Sequence, residues 1–212
     1  MSSPISAKKL AGNITEVRII EAAVHLFAQN GFKGTSTRDI ADLAKVNEAT
    51  LFRHFPRKTD LFWAAADSRL NGVKLSRELQ QGLSSDADPQ TMIPMIVAFL
   101  VNTLLRSPEL MRLLYVAGFE LAGPQRLLSE HLGPIFDAVN SYFRRCALKG
   151  MIEDFDPVLA TLALAGAVGA HYTLQPLFGE DQELKLPEYT RFLLNALQKN
   201  SSEPLNLSRQ EV

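Results

Sequence analysis

Apolar positions recur at helical spacing from early in this chain. In NITEVRIIEAAVHLFAQNGF, Val17, Ile20, Val24 and Phe27 form a stripe that Ile14, Ala23 and Leu26 broaden, the pattern of an amphipathic helix. Asn30-Gly31 stops it, since glycine enters the left-handed conformation without steric penalty, and Phe32 follows where a contact back onto the helix is common. GTSTRDIADLAKV opens a second, short helix with Thr37 as its N-cap and Ile40, Ala41 and Ala44 inward. Lys45-Val46-Asn47 reads as a turn, and Asn47 caps a third helix over 48–55. Pro56 ends that helix, because the residue before a proline avoids helical geometry. A fourth helix follows over 58–81, bent or broken at Asn71-Gly72, and LSSDADPQ at 83–90 is the clearest linker.

Beyond the linker, proline-punctuated helical patterns occupy 91–106, 108–122, 124–150, 157–178 and 187–199, with Gly133-Pro134 interrupting the third. No strand alternation and no repeat is present, so the expected class is all-α. The expected organisation is an amino-terminal helical domain at 13–73 and a helical bundle at 84–200. Flexible tails at 1–12 and 201–212 are expected to flank them.

Composition narrows the class. With 46% apolar residues in 212, the chain has enough length and hydrophobicity for a real core. The single Cys146 excludes an internal disulfide and fits a reducing compartment. The first residues lack the apolar centre of a signal peptide, and the most apolar run, 158–169, is too short to span a bilayer. A cytoplasmic protein with no membrane partner is expected. Net charge is −1, which argues against indiscriminate coating of nucleic acid. Residues 1–60 nevertheless hold nine Lys/Arg against six Asp/Glu, while the rest holds 13 against 17. Any anion-binding surface is therefore expected early in the chain.

Two short helices joined by a three-residue turn, behind a supporting helix, form a helix-turn-helix, here about 36–55. Ala41 permits close approach, and Ile40, Ala44, Val46 and Leu51 close a small core. The outer face of the third helix then offers Asn47, Glu48, Thr50, Arg53 and His54 to base edges or phosphates. Rival chemistry finds little support. No histidine pair has metal-ligand spacing, no Gly-rich phosphate loop occurs, and His54 has no nucleophilic partner placed by a motif. No catalytic residue, metal or cofactor is expected. Cys146 reads as a packed helix residue.

The run 15–63 resembles the DNA-binding domain of the TetR-like (tetracycline-repressor, AcrR type) family of bacterial transcription regulators. The resemblance rests on Ile20, Ala23, Leu26 and Phe27, then Gly31, Phe32, Thr35, Ser36, Arg38, Asp39, Ile40, Ala41 and Ala44. It continues through Val46, Asn47, Ala49, Thr50, Leu51, Phe52, His54, Phe55, Lys58, Leu61 and Phe62. It implies that Thr37 and Arg38 touch phosphate or an adjacent base. Asn47, Glu48, Ala49 and Thr50 would begin a recognition helix in the major groove, with Phe52, Arg53 and His54 farther along it. Lys58 would bind phosphate at a helix N-terminus. Three positions depart from the family's pattern. Lys45 stands where the turn usually has glycine, at a cost of roughly 1 kcal/mol if left-handed, while adding a charge near DNA. Phe52 replaces a common tyrosine, and Arg57 a frequent serine cap.

The resemblance makes the second half a ligand-binding and dimerisation domain. Expected contacts for a small apolar or aromatic effector are Met92, Met95, Phe99, Met111, Tyr115, Phe119, Phe143, His171 and Tyr172, although packing of a bundle core would look the same. Small residues of ATLALAGAVGAHYTLQPLF permit close helix approach inside one subunit or between two, and with a stripe on the last helix the resemblance implies a homodimer interface at Ala163, Ala167, Ala170, Phe192 and Ala196. The expected function is a ligand-responsive, homodimeric repressor on a palindromic operator of double-stranded DNA. The alternatives are a regulator controlled by a protein partner without an effector, or a helical enzyme using His54 or His171.

Overall fold

A computed structural model describes the backbone of residues 4–121, 129–178 and 186–197. It describes the side chains of 14–103, 107–121, 129–171 and 187–197. The helices are α1 (Pro4–Asn30), α2 (Thr37–Leu43), α3 (Glu48–His54), α4 (Lys58–Leu70) and α5 (Arg77–Ser84). They continue as α6 (Pro89–Arg106), α7 (Pro108–Glu120), α8 (Gly133–Leu148), α9 (Pro157–Phe178) and α10 (Leu186–Leu197). No strand occurs among the described residues. Contacts divide the chain into two units, 1–74 with 102–135 and 75–101 with 136–212. The segments 122–128 and 198–212, including the expected carboxy-terminal tail, lie outside the described residues.

In the first unit α1 packs against α2, α4 and α7, and α2 against α3. Its core joins Ile19, Ala23 and Phe27 of α1 to Ile40, Leu51, Leu61, Phe62, Leu113 and Ala117. Phe62 meets Phe27 and Phe32 edge-on, at centroid distances of 5.2 and 5.8 Å, and Trp63 at 5.1 Å. The buried face of α1 is rotated from the expected stripe. Ile19 and Ala22 are inside, whereas Ile14 and Val17 are 56% and 58% exposed. The helix also runs back to Pro4, through residues read from sequence as a tail. On the surface, Arg69 of α4 clasps Glu21 of α1 at 2.6 Å, and the guanidinium holds the Glu21 carboxyl below its usual range. His131 meets Asp67 at 2.7 Å.

The expected fourth helix is two helices. Asn71 caps the end of α4, its side chain donating to Asp67 at 2.7 Å, and Ser76 restarts the chain by accepting from the Leu79 N–H at 3.2 Å. A cap residue on each side of Gly72 makes two short helices cheaper than one long one.

In the second unit the 84–88 loop is tied to α8. The Tyr142 hydroxyl donates to the Ala87 carbonyl at 2.8 Å, Arg145 donates to the Leu83 and Ser85 carbonyls, and Lys149 pairs with Asp86 at 2.5 Å. Tyr189 of α10 donates to the Leu164 carbonyl of α9 at 3.2 Å, and burial pushes its phenol up to about 12. Cys146 is buried, and burial raises its thiol above the usual range while the Tyr142 hydroxyl acts in the opposite sense. No single described helix is long and apolar enough to cross a membrane.

Candidate nucleic-acid interface

The geometry of the helix-turn-helix follows from its caps. Ser36, not Thr37, is the N-cap of α2: its backbone is extended and its hydroxyl oxygen accepts from the Asp39 N–H at 3.0 Å. Thr37 is thereby the first helical residue, and its hydroxyl donates to Glu48 Oε1 at 2.9 Å, joining the starts of α2 and α3. Asn47 caps α3 as its sequence predicts, accepting from the Thr50 N–H at 2.7 Å.

The turn between them closes as a Schellman motif. Lys45 takes φ +54°, its N–H reaches the Asp42 carbonyl at 3.1 Å, and the Val46 N–H reaches the Ala41 carbonyl at 2.9 Å. Lys45 is thus left-handed, as its place in the turn requires. Arg18 of α1 supports the turn from below, donating to the Ala44 and Lys45 carbonyls, where the negative end of the α2 dipole favours a cation. Sequence reasoning missed Arg18, because 26 residues separate it from its partner. Lys45→Gly should stabilise the fold by about 0.5–1 kcal/mol by removing a Cβ from the left-handed region. It should also weaken DNA binding as a charge is lost. Thermal melting and a salt titration check the two effects, which carry opposite signs.

Leu51 is fully buried and Phe55 7% exposed, which anchors the inner side of α3. Glu48, Ala49, Phe52 and Arg53 face outward, with Thr50 half-buried, and Phe52 is 42% exposed. Thr37 and Arg38 lie on the adjacent α2, Arg38 exposed. Lys45, Asn47, Glu48, Ala49 and Arg53, like Arg38, are all exposed to solvent. His54 does not join them fully. Its side chain is only 18% exposed and Nδ1 lies 4.0 Å from Glu16 of α1.

The two cations after Pro56 are also engaged. Asp60 accepts from the Arg57 N–H at 3.2 Å and from its guanidinium at 2.8 Å. A guanidinium has no acceptor atom, so only the acidic half of a capping box is present at the start of α4. Lys58 leans inward, its ammonium 4.4 Å from the centre of the Phe32 ring.

The expected effector contacts fall on both units. On the first unit, Tyr115 and Phe119 stack at 6.2 Å and are 38% and 85% exposed, while Met111 is half-buried. On the second, Met92 is buried against Gly82, where a Cβ would stand 2.4 Å from its sulfur. Phe143 is fully buried, and Met95, Phe99 and His171 are half-buried. The Tyr172 side chain lies outside the described residues. A cleft of about 440 Å³ between α6 and α10, lined by Pro94, Ala98, Arg191 and Leu194 among others, has no signature in the sequence pattern. The expected interface residues share one property: Ala163, Ala167, Ala170, Phe192 and Ala196 are all exposed. Leu159 and Leu162 beside them are 63% and 55% exposed, while Ala160, Leu164, Val168 and Leu193 turn inward.

Comparison with known proteins agrees with this geometry. Residues 19–65 match the model of bacterial regulatory proteins, tetR family. An HTH-type transcriptional repressor of Mycobacterium tuberculosis is 44% identical over 68 residues, 32% of this chain and 35% of that protein. A probable acrEF/envCD operon repressor of Escherichia coli is 32% identical over 105 residues, 48% of this chain and 47% of that one. The matched stretch thus spans about a third to a half of these relatives' length. Among solved structures, the hemolysin II transcriptional regulator HlyIIR superposes with a TM-score of 0.68 at 17% identity, covering 89% of this chain and 99% of that one. AibR in complex with isovaleryl coenzyme A and operator DNA gives 0.65 at 19% identity, covering 86% and 97%. These relatives are regulators and not enzymes. Residues 19–65 thus carry the match to the tetR-family model, and the all-helical fold is similar to that of these solved regulators.

Proposed function

We propose that the chain is a cytoplasmic, ligand-responsive transcriptional repressor that binds a palindromic DNA operator as a homodimer. The observation that carries this reading is α3: a capped helix that buries Leu51 and turns Glu48, Ala49, Phe52 and Arg53 to solvent. The segment 13–73 is the DNA-binding part, and 84–200 serves effector binding and self-association. A second copy suits the exposed small-residue face of α9 and the exposed Phe192 and Ala196 of α10, and one short helix reads too few base pairs for useful specificity. An apolar or aromatic effector would act by differential affinity for two conformations of the dimer.

The test is footprinting on the gene's own upstream region and on genomic fragments, where a protected palindrome is expected. Thr50→Ala should change base preference at one position of each half-site. Lys58→Ala should weaken all sequences alike and reduce the salt slope by about 0.9. If no genomic fragment is protected and neither substitution affects binding, the function is not DNA recognition.

A further inference from the structure

Glu120 ends α7, and its carboxylate reaches the turn that follows α1. Oε1 accepts from the Phe32 N–H at 3.3 Å and Oε2 from the Lys33 N–H at 2.9 Å. Gly31 precedes them at φ +73°, so consecutive N–H groups converge on one anion, as in backbone nests. A Cβ on Gly31 would stand 2.5 Å from Oε1. The position therefore needs glycine for its conformation and for the closeness of the carboxylate. Lys58, at the start of α4, stands on the other side of Phe32, making no ion pair with Glu120 within 4.0 Å. Its ammonium rests over the Phe32 ring at 4.4 Å. Burial there lowers its pKa from the ordinary lysine value, and the charge of Glu120 acts in the opposite sense.

We infer that Glu120 is an internal competitor of DNA: together with Phe32 it holds the Lys58 ammonium inward, and a phosphate must draw Lys58 away from it. The inference rests on the DNA-binding function proposed above. An ammonium desolvated over a ring and balanced by a carboxylate cannot at the same time neutralise a phosphate, so part of the gain from the phosphate contact is offset. Glu120 belongs to α7, the helix that also carries Met111, Tyr115 and Phe119. The position of α7 therefore sets how firmly Lys58 is held. Regulation arriving at that helix reaches the DNA grip through one cation, without displacement of the recognition helix.

The experiment measures binding of the full chain to a mixed-sequence duplex about two helical turns long, by fluorescence anisotropy at several salt concentrations. Glu120→Gln keeps the shape and removes the charge. It should tighten binding about two- to fivefold, the range of a weak, partly exposed charge–charge attraction, and steepen the salt dependence. In a Lys58→Gln background the same change should leave affinity unaltered. Equal or weaker binding by Glu120→Gln, or a gain that persists without Lys58, would overturn the inference while leaving DNA recognition intact. Failure of the unaltered chain to bind any duplex would overturn both. A measurement on the unaltered chain guards against a folding defect in the variants. The Lys58 ε-methylene protons should be shifted upfield by the Phe32 ring in the free protein and return toward ordinary values on addition of duplex. Retention of the upfield shift in the complex would also overturn the proposal.

Discussion

Phe62→Ala is expected to cost the first unit about 3–5 kcal/mol, the range for deleting a buried aromatic ring. Phe62 is fully buried and meets three other rings, Phe27, Phe32 and Trp63, which hold α1, the turn after it and α4 together. Removing the centre of that cluster leaves a cavity that these rings cannot close without shifting α4. Such a loss is a large fraction of the roughly 5–15 kcal/mol of a typical domain. Trp63 is the chain's single tryptophan, so urea unfolding followed by its fluorescence reports this unit directly. The midpoint should fall sharply for Phe62→Ala and by roughly a third as much for Phe62→Leu, which refills part of the space. A midpoint close to that of the unaltered chain would mean the cluster does not support the fold as described.

The second large effect concerns self-association. Ala167→Glu places a carboxylate on a face of α9 where Ala163, Ala167 and Ala170 are exposed and small. As the position faces solvent in the single chain, folding should be unaffected. In a two-fold interface the substitution appears on both sides, so two like charges would be buried against each other. Sedimentation should show the mass of a single chain at micromolar concentration. Operator affinity should fall by about two orders of magnitude or more, because two half-sites then no longer act together. If the variant remains dimeric, the interface lies elsewhere.

The sequence was most legible where structure is set by neighbours along the chain. Asn47 as a cap, Leu51 as the inner side of α3, Gly31 as the stop of α1 and a left-handed Lys45 all depend on residues a few positions away. The errors share one cause, a tertiary choice between locally equal options. Ser36 and Thr37 are both good caps, and Ser36 wins because Thr37 is turned toward Glu48. Val17 and Ile19 both fit an apolar stripe, and packing against α4 and α7 selects Ile19. His54 was placed outside by its position on the helix, yet it leans against Glu16. Glu120 and Arg18 could not be found from sequence, since each acts on backbone far along the chain.

The hydrogen bond between Thr37 and Glu48 carries one more consequence. In the free protein these two groups satisfy each other, so engaging DNA through either one strands the other unless the operator supplies a second partner. A base pair presenting an amino donor to Glu48, with a phosphate within reach of Thr37, makes the trade even. Every base pair carries one amino donor in the major groove, on adenine or cytosine, so a pair whose donor lies on the strand away from Glu48 leaves a polar group unmatched at about 1–3 kcal/mol. Discrimination at this point would thus come from penalising wrong sequences, with little heat released on meeting the right one.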